Sequence, residues 1–161
     1  MSTASARASS SLTEPPVLPP PRRVGRGGRA LAAVVACVCL TLLVLAARLT
    51  PSPAGHGTHR GLGLPPCGWV IAFDKPCPTC GMTTSWAHAA NLDFLGALRA
   101  QPLGAALALL TTVIFWGAVH VVLTGSRLGA VGATMATPRA LWALGGLAAL
   151  AWAYKLATWT G

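Results

Sequence analysis

This chain predicts an all-α fold, an integral membrane protein with three transmembrane helices and a short helical extracytoplasmic loop, on three observations. Only 9% of its 161 residues are charged and 53% are hydrophobic, against roughly 25% charged in an ordinary soluble domain. Three apolar runs, 30–47, 103–123 and 140–159, each come near the roughly 20 residues that cross a hydrocarbon core. Prolines, glycines and polar residues collect in 48–102, where the chain can leave the bilayer. The basic excess, 12 Lys and Arg against 3 Asp and Glu, then reads as a topology signal and a contact with anionic headgroups. Nucleic-acid binding would need a basic face on a folded soluble module. No such module is visible, so the expected partners are the lipid bilayer and, second, another membrane protein, with no nucleic acid.

In chain order, residues 1–29 form a Ser-, Pro- and Arg-rich tail without apolar periodicity, expected to be disordered and cytoplasmic. Its Arg22–Arg29 end is a basic collar before the first span. A cleaved signal peptide competes for that span. The long preceding segment, an apolar run beyond the usual 7 to 15 residues, and the unsuitable Arg48-Leu49-Thr50-Pro51 cleavage region favour an uncleaved anchor. Thr50–Pro66 reads as irregular loop, and Trp69–Phe73 as an apolar patch dipping into the interface. Helical patterning runs from Gly81 through Ala90. Asn91 is the expected N-cap of a second short helix over 92–100, with Asp93 near its positive end. Pro102 opens the second span.

Arg7, Arg22, Arg23, Arg26 and Arg29 precede the first span, and Arg127 and Arg139 separate the second from the third. Both segments therefore belong on the cytoplasmic side of a bacterial inner membrane, and the 48–102 loop outside. Within the third span, Lys155 is expected to snorkel to the interface. Gly145, Ala149, Ala153 and Ala157 make a small-residue stripe expected to pack against the other spans. Cys37 and Cys39 read as packing residues of the first span, and His120 as an interfacial imidazole.

The chemistry concentrates in Lys75-Pro76-Cys77-Pro78-Thr79-Cys80-Gly81. Two thiols separated by two residues at a helix start serve a redox disulfide, half of a metal site, or a structural cross-link. For the first use, the helix N-terminus would favour a thiolate at Cys77, with Cys80 resolving, although no βαβ pattern surrounds the pair. For the second, zinc would take Cys67, Cys77 and Cys80 with His56 or His59 as the fourth ligand. His88, eight residues past Cys80 on a helix, is too far along the axis to join them. The third use pairs Cys67 with Cys77 or Cys80 across an outward loop that permits disulfides. Thr83, Thr84 and Ser85 are expected to bond carbonyls of their own helix.

From Cys67 to about Leu110 the chain resembles a bacterial membrane-protein family catalogued as domain of unknown function 2752. The residues that carry the resemblance are Cys67, Cys77-Pro78-Thr79-Cys80-Gly81-Met82-Thr83, Asp93 and Arg99-Ala100-Gln101-Pro102. It implies a helical integral membrane protein and names no reaction. Thr84 stands where Arg is common in that family and Gln101 where Asn is commoner, so a function resting on that Arg would not carry over. The expectation is a non-enzymatic accessory or assembly subunit with a disulfide- or metal-stabilised loop. The alternative is a membrane thiol-disulfide oxidoreductase using Cys77 and Cys80.

Overall fold

The computed structural model describes residues 24–126 and 137–159. The expected disorder of the tail up to residue 23 and the placement of Arg127 lie outside them. Among the described residues every regular element is helical: α1 (Arg26–Arg48), α2 (Gly68–Phe73), α3 (Met82–Ala90), α4 (Phe94–Ala100), α5 (Pro102–Thr124) and α6 (Pro138–Ala157), with a 3-10 turn over Thr58–Leu62. Helices α1, α5 and α6 are the three long apolar ones, with mean hydropathies of 2.8, 2.2 and 1.3. Only 17%, 17% and 11% of their apolar windows are buried in the protein, so their outer faces need lipid rather than water.

The spans differ at their edges from the sequence boundaries, and capping explains each shift. Helix α1 begins at Arg26, four residues before the expected start, because its first turn is held by α5. The Arg29 guanidinium donates from Nε (3.0 Å) and Nη2 (2.6 Å) to the Val122 carbonyl, placing a cation at the negative end of α5. The Val24 N–H donates to the Gly125 carbonyl at 2.8 Å. Helix α5 starts on Pro102 with Gln101 as its N-cap and stops at Gly125, whose left-handed backbone returns its N–H to Val121. Thr137 caps α6, accepting from the Ala140 N–H at 3.3 Å.

Helices α1 and α5 form the main pair, and their buried residues are mostly small: Ala36, Cys39 and Ala46 on α1, Ala105, Ala108 and Ala118 on α5. Cys39 is buried, as expected of a packing residue, while Cys37 lies exposed on another face, and His120 is exposed. The Thr111 and Thr112 hydroxyls bond carbonyls four residues back, Leu107 at 2.8 Å and Ala108 at 3.0 Å, which satisfies them inside the bilayer.

Several expectations need correction. Asn91 closes α3 instead of opening α4, its Nδ2 donating to the Ala87 carbonyl at 2.8 Å. Leu92 then turns the chain at φ 63°, and Asp93 becomes the N-cap, accepting from the Gly96 N–H at 2.8 Å. The small-residue stripe of α6 is not packed: Gly145, Ala149, Ala153 and Ala157 are all exposed. Helix α6 instead turns Ala151 and Lys155 inward, and Lys155 does not snorkel, being 5% exposed with Nζ donating to the Gly55 carbonyl at 3.1 Å.

The loop 48–102 folds into a cap over the ends of the spans. Helix α3 packs on α1, α4 and α5, and its buried hydroxyls reach outside their own helix, contrary to the local pairing expected. Thr84 Oγ1 meets Thr58 Oγ1 at 2.8 Å, and Ser85 Oγ lies 2.8 Å from the Ala97 carbonyl and 3.0 Å from that of Gln101. These bonds tie α3 to the 3-10 turn, to α4 and to the start of α5. Trp69–Phe73, expected to dip into the interface, is the short helix α2, with its two aromatic rings 5.0 Å apart.

Gly81 is the tightest point of the cap. Its φ is 85°, and a Cβ there would stand 2.7 Å from the carbonyl oxygens of both Ala100 and Gly55. Gly63 has a similar φ of 75° with nothing within 4 Å of its Cβ position. Gly63→Ala therefore carries only the left-handed conformational cost of about 1–2 kcal/mol, and Gly81→Ala should lose at least about 1 kcal/mol more through overpacking. Thermal unfolding of the two variants in the same detergent measures that difference, and equal losses would contradict the close approach.

Candidate functional site

The three loop thiols converge. Cys67 precedes α2, and Cys77 and Cys80 form the turn before α3, closed by the Cys80 N–H on the Cys77 carbonyl at 2.9 Å. The Cys77 thiol is close enough to Cys67 and to Cys80 to act on the titration of both. All five cysteines of the chain are free thiols.

The turn is held by two side chains that donate to its proline carbonyls, and by the close approach of Gly81 to neighbouring backbone. Trp152 of α6 donates from Nε1 to Pro76 at 3.1 Å. Gln101, with no exposed surface, donates from Nε2 to Pro78 at 3.4 Å while its Oε1 accepts from the Leu103 N–H at 3.3 Å. Gly81 rests on the carbonyls of Ala100 and Gly55. The position of the Cys-x-x-Cys turn is thereby set by α5 and α6 together.

The environment divides the thiols. Cys67 is drawn below the ordinary thiol range, first by the Val70 N–H at the start of α2, with the Trp69 N–H and the Cys77 thiol adding to it against some desolvation. Cys80 is pushed up to about 11, first by burial, then by the proximity of Cys77, with Lys155 only partly offsetting these. Cys77 is half-buried and lies 3.4 Å from Thr79 Oγ1. The N–H groups at the start of α2 serve Cys67.

The two histidines proposed as zinc ligands are engaged elsewhere. His56 Nδ1 lies 2.9 Å from the Ala54 carbonyl, its ring 4.5 Å from that of Trp159, and His59 Nε2 lies 3.2 Å from the Pro65 carbonyl. Among the described residues no group of three or more His, Cys, Asp or Glu side chains is arranged to hold a metal ion. His88 pairs with Asp93 at 2.8 Å. The Gly96 N–H, and then this imidazole, hold the Asp93 carboxyl below its usual range.

Three residues the sequence reading undervalued shape the site. Lys155 and Trp152 come from α6, and Ser85 from inside α3. A lysine in an apolar run was legible as unusual, but its partner, Gly55, is a hundred residues away. Nothing in a single sequence signals that pairing.

Residues 67–116 match the family model described as a protein of unknown function, DUF2752. The matched stretch holds the three loop thiols and Gln101, and ends within α5; Gly55, Trp152 and Lys155 lie outside it. No curated protein and no solved structure matches the chain.

Thiol reactivity follows from these surroundings. In the reduced protein, Cys67 should react with iodoacetamide before Cys80. Alkylation of Cys80 should keep accelerating until about pH 11 rather than levelling near the free-thiol value of about 8.5. Because its folded pKa is raised, the stability linked to that retained proton is present below the unfolded pKa and is lost as pH rises through about 11. Site-resolved alkylation by mass spectrometry over pH 7 to 12 checks both, and a Cys80 that reacts first would contradict the burial.

Proposed function

We propose that this chain is a non-enzymatic accessory or assembly subunit of a bacterial cytoplasmic membrane. Its N-terminus is cytoplasmic and its cysteine-bearing cap extracytoplasmic, where it serves as a rigid docking element for another membrane protein. Oxidation of the free Cys67 and Cys77 thiols to a cross-link then stiffens the cap. The observation that carries this reading is the inequality of the thiols: Cys67 and Cys77 are half-buried neighbours with Cys67 disposed to ionise, whereas Cys80 is buried and holds its proton. The oxidant would be a protein disulfide of the outer compartment. Cys67 thiolate attacks it and forms a mixed disulfide, Cys77 displaces the oxidant's second sulfur, and the oxidant leaves as a dithiol carrying the two electrons and two protons.

The bonds from Trp152 and Gln101 onto the cap support a fixed rather than a mobile element. The titratable groups that act on Cys80 are the other two thiols and Lys155, a set without the carboxylate or imidazole a proton-transferring enzyme would use. A zinc version of the cap would require His56 or His59 to leave its backbone carbonyl. The redox alternative, Cys77 attacking and Cys80 resolving, has one observation in its favour: the outer thiol is accessible and the inner one buried. A thiol with pKa about 11 is, however, almost wholly protonated at neutral pH and resolves slowly.

Peptide mapping under non-reducing conditions, after acid quenching and alkylation of the membranes, tests this assignment. The expected result is a Cys67–Cys77 disulfide with Cys80 alkylated, and Cys67→Ser should lower stability by roughly 3 kcal/mol for a loop of this length. Recovery of a Cys77–Cys80 disulfide, or of a covalent partner on Cys77 in the Cys80→Ser protein, would transfer the function to the oxidoreductase reading.

A further inference from the structure

The last two turns of α6 and the cap enclose a second polar site, separate from the thiols' own turn. Lys155 is 5% exposed and Thr158 follows one turn later. Both line a cavity of about 300 Å³ whose other walls include Arg99, His88 and the Ser52–Gly55 backbone. An ammonium has three donors, and the Gly55 carbonyl accepts from one, at 3.1 Å.

The charges in this cavity do not cancel. Among the described residues the one ion pair is His88–Asp93. Asp93 also accepts from the Gly96 N–H and is near enough to Arg99 to feel its charge, but it does not reach ion-pair distance from Arg99 or from Lys155. The thiol beside Lys155, Cys80, is held neutral by burial. Buried Lys155 and exposed Arg99 therefore face a cavity with no carboxylate at ion-pair distance from either, an arrangement that a bound negative group would complement.

Directly along α6 lies an apolar groove of about 270 Å³ between α5 and α6, walled by Leu103 and Ala106 on one side and Leu147, Leu150 and Tyr154 on the other. The two spaces are neighbours in the fold: Ala100 lines the first and Pro102 the second, and Tyr154 in the wall of the groove donates its hydroxyl to the carbonyl of Arg99, which lines the cavity, at 3.3 Å. A basic cavity beside an apolar groove between two long apolar helices matches a molecule with an anionic head and a hydrocarbon tail.

We propose that this site binds an anionic phospholipid, with the phosphoryl group between Arg99 and Lys155 and an acyl chain in the α5–α6 groove. The bound lipid is then the missing counter-charge of Lys155. It also fastens α6, which touches α5 only lightly, to the cap. The site goes beyond the docking role and does not depend on it.

The test uses the full chain in detergent, titrated with dioctanoyl phosphatidylglycerol, dioctanoyl phosphatidylcholine or inorganic phosphate, with thermal stabilisation as the readout. Phosphatidylglycerol should act at a concentration at least tenfold below phosphatidylcholine, and Arg99→Gln and Lys155→Met should each abolish most of that preference. Arg99 is exposed, so its variant remains informative if loss of buried Lys155 prevents folding. Leu150→Trp, which fills the groove, should weaken the lipid and leave any effect of inorganic phosphate unchanged. Inorganic phosphate protecting as well as the lipid, with the same dependence on Arg99, would keep the anion site and overturn the acyl-chain half. Phosphatidylglycerol protection that is equal in wild type and Arg99→Gln, or no greater than that of phosphatidylcholine, would overturn the proposal.

Discussion

The cap formed by the 48–102 loop depends on one buried contact, the close approach of Gly81 to the carbonyls of Ala100 and Gly55 beside the buried Gln101. Gln101 is the hinge between the cap and the second span: its side chain caps α5, its amide holds the Pro78 carbonyl, and its own carbonyl accepts from Ser85. The amide and hydroxyl are fully buried, so leaving either partner unmatched costs about 1–3 kcal/mol. Such a junction either forms completely or is a source of instability. Its completion is what brings Cys80 into the protein while Cys77 stays at the surface.

From that junction the division of the thiols follows without further assumptions. Proline at 76 and 78 removes two donors from the turn and leaves carbonyls that α5 and α6 satisfy through Gln101 and Trp152. The turn cannot slide without breaking both bonds. Burial then raises Cys80, while the free N–H groups at the start of α2 lower Cys67. A membrane domain of this size thus holds three chemically distinct sulfurs with very few charged residues, because backbone dipoles and desolvation do the sorting.

Much of this was legible in the sequence, and the exceptions share a cause. The three spans, the helix after the Cys-x-x-Cys turn, and the start of α5 at Pro102 follow from hydropathy and local chain chemistry. Both act over a few neighbouring residues. The helix over 82–90 was legible, but not the partners of its hydroxyls, since Ser85 looked satisfied by its own turn and in fact serves Ala97 and Gln101. Asn91 and Asp93 are both good caps, and only the left-handed turn at Leu92 decides between them. Lys155 and the α6 stripe failed for one reason: the rotation of a span about its axis is set by tertiary partners, and an apolar run of nearly uniform hydropathy does not encode it.

The claim that Gln101 locks the cap to the spans is tested most directly by hydrogen–deuterium exchange of Gln101→Leu against wild type in the same detergent. The account predicts that amides within 80–90 exchange roughly tenfold faster or more, the equivalent of about 1.4 kcal/mol, while those in the middle of α1 are unchanged. Unaltered exchange across 80–90 would contradict it, and would mean that helix packing alone holds the cysteine turn in place.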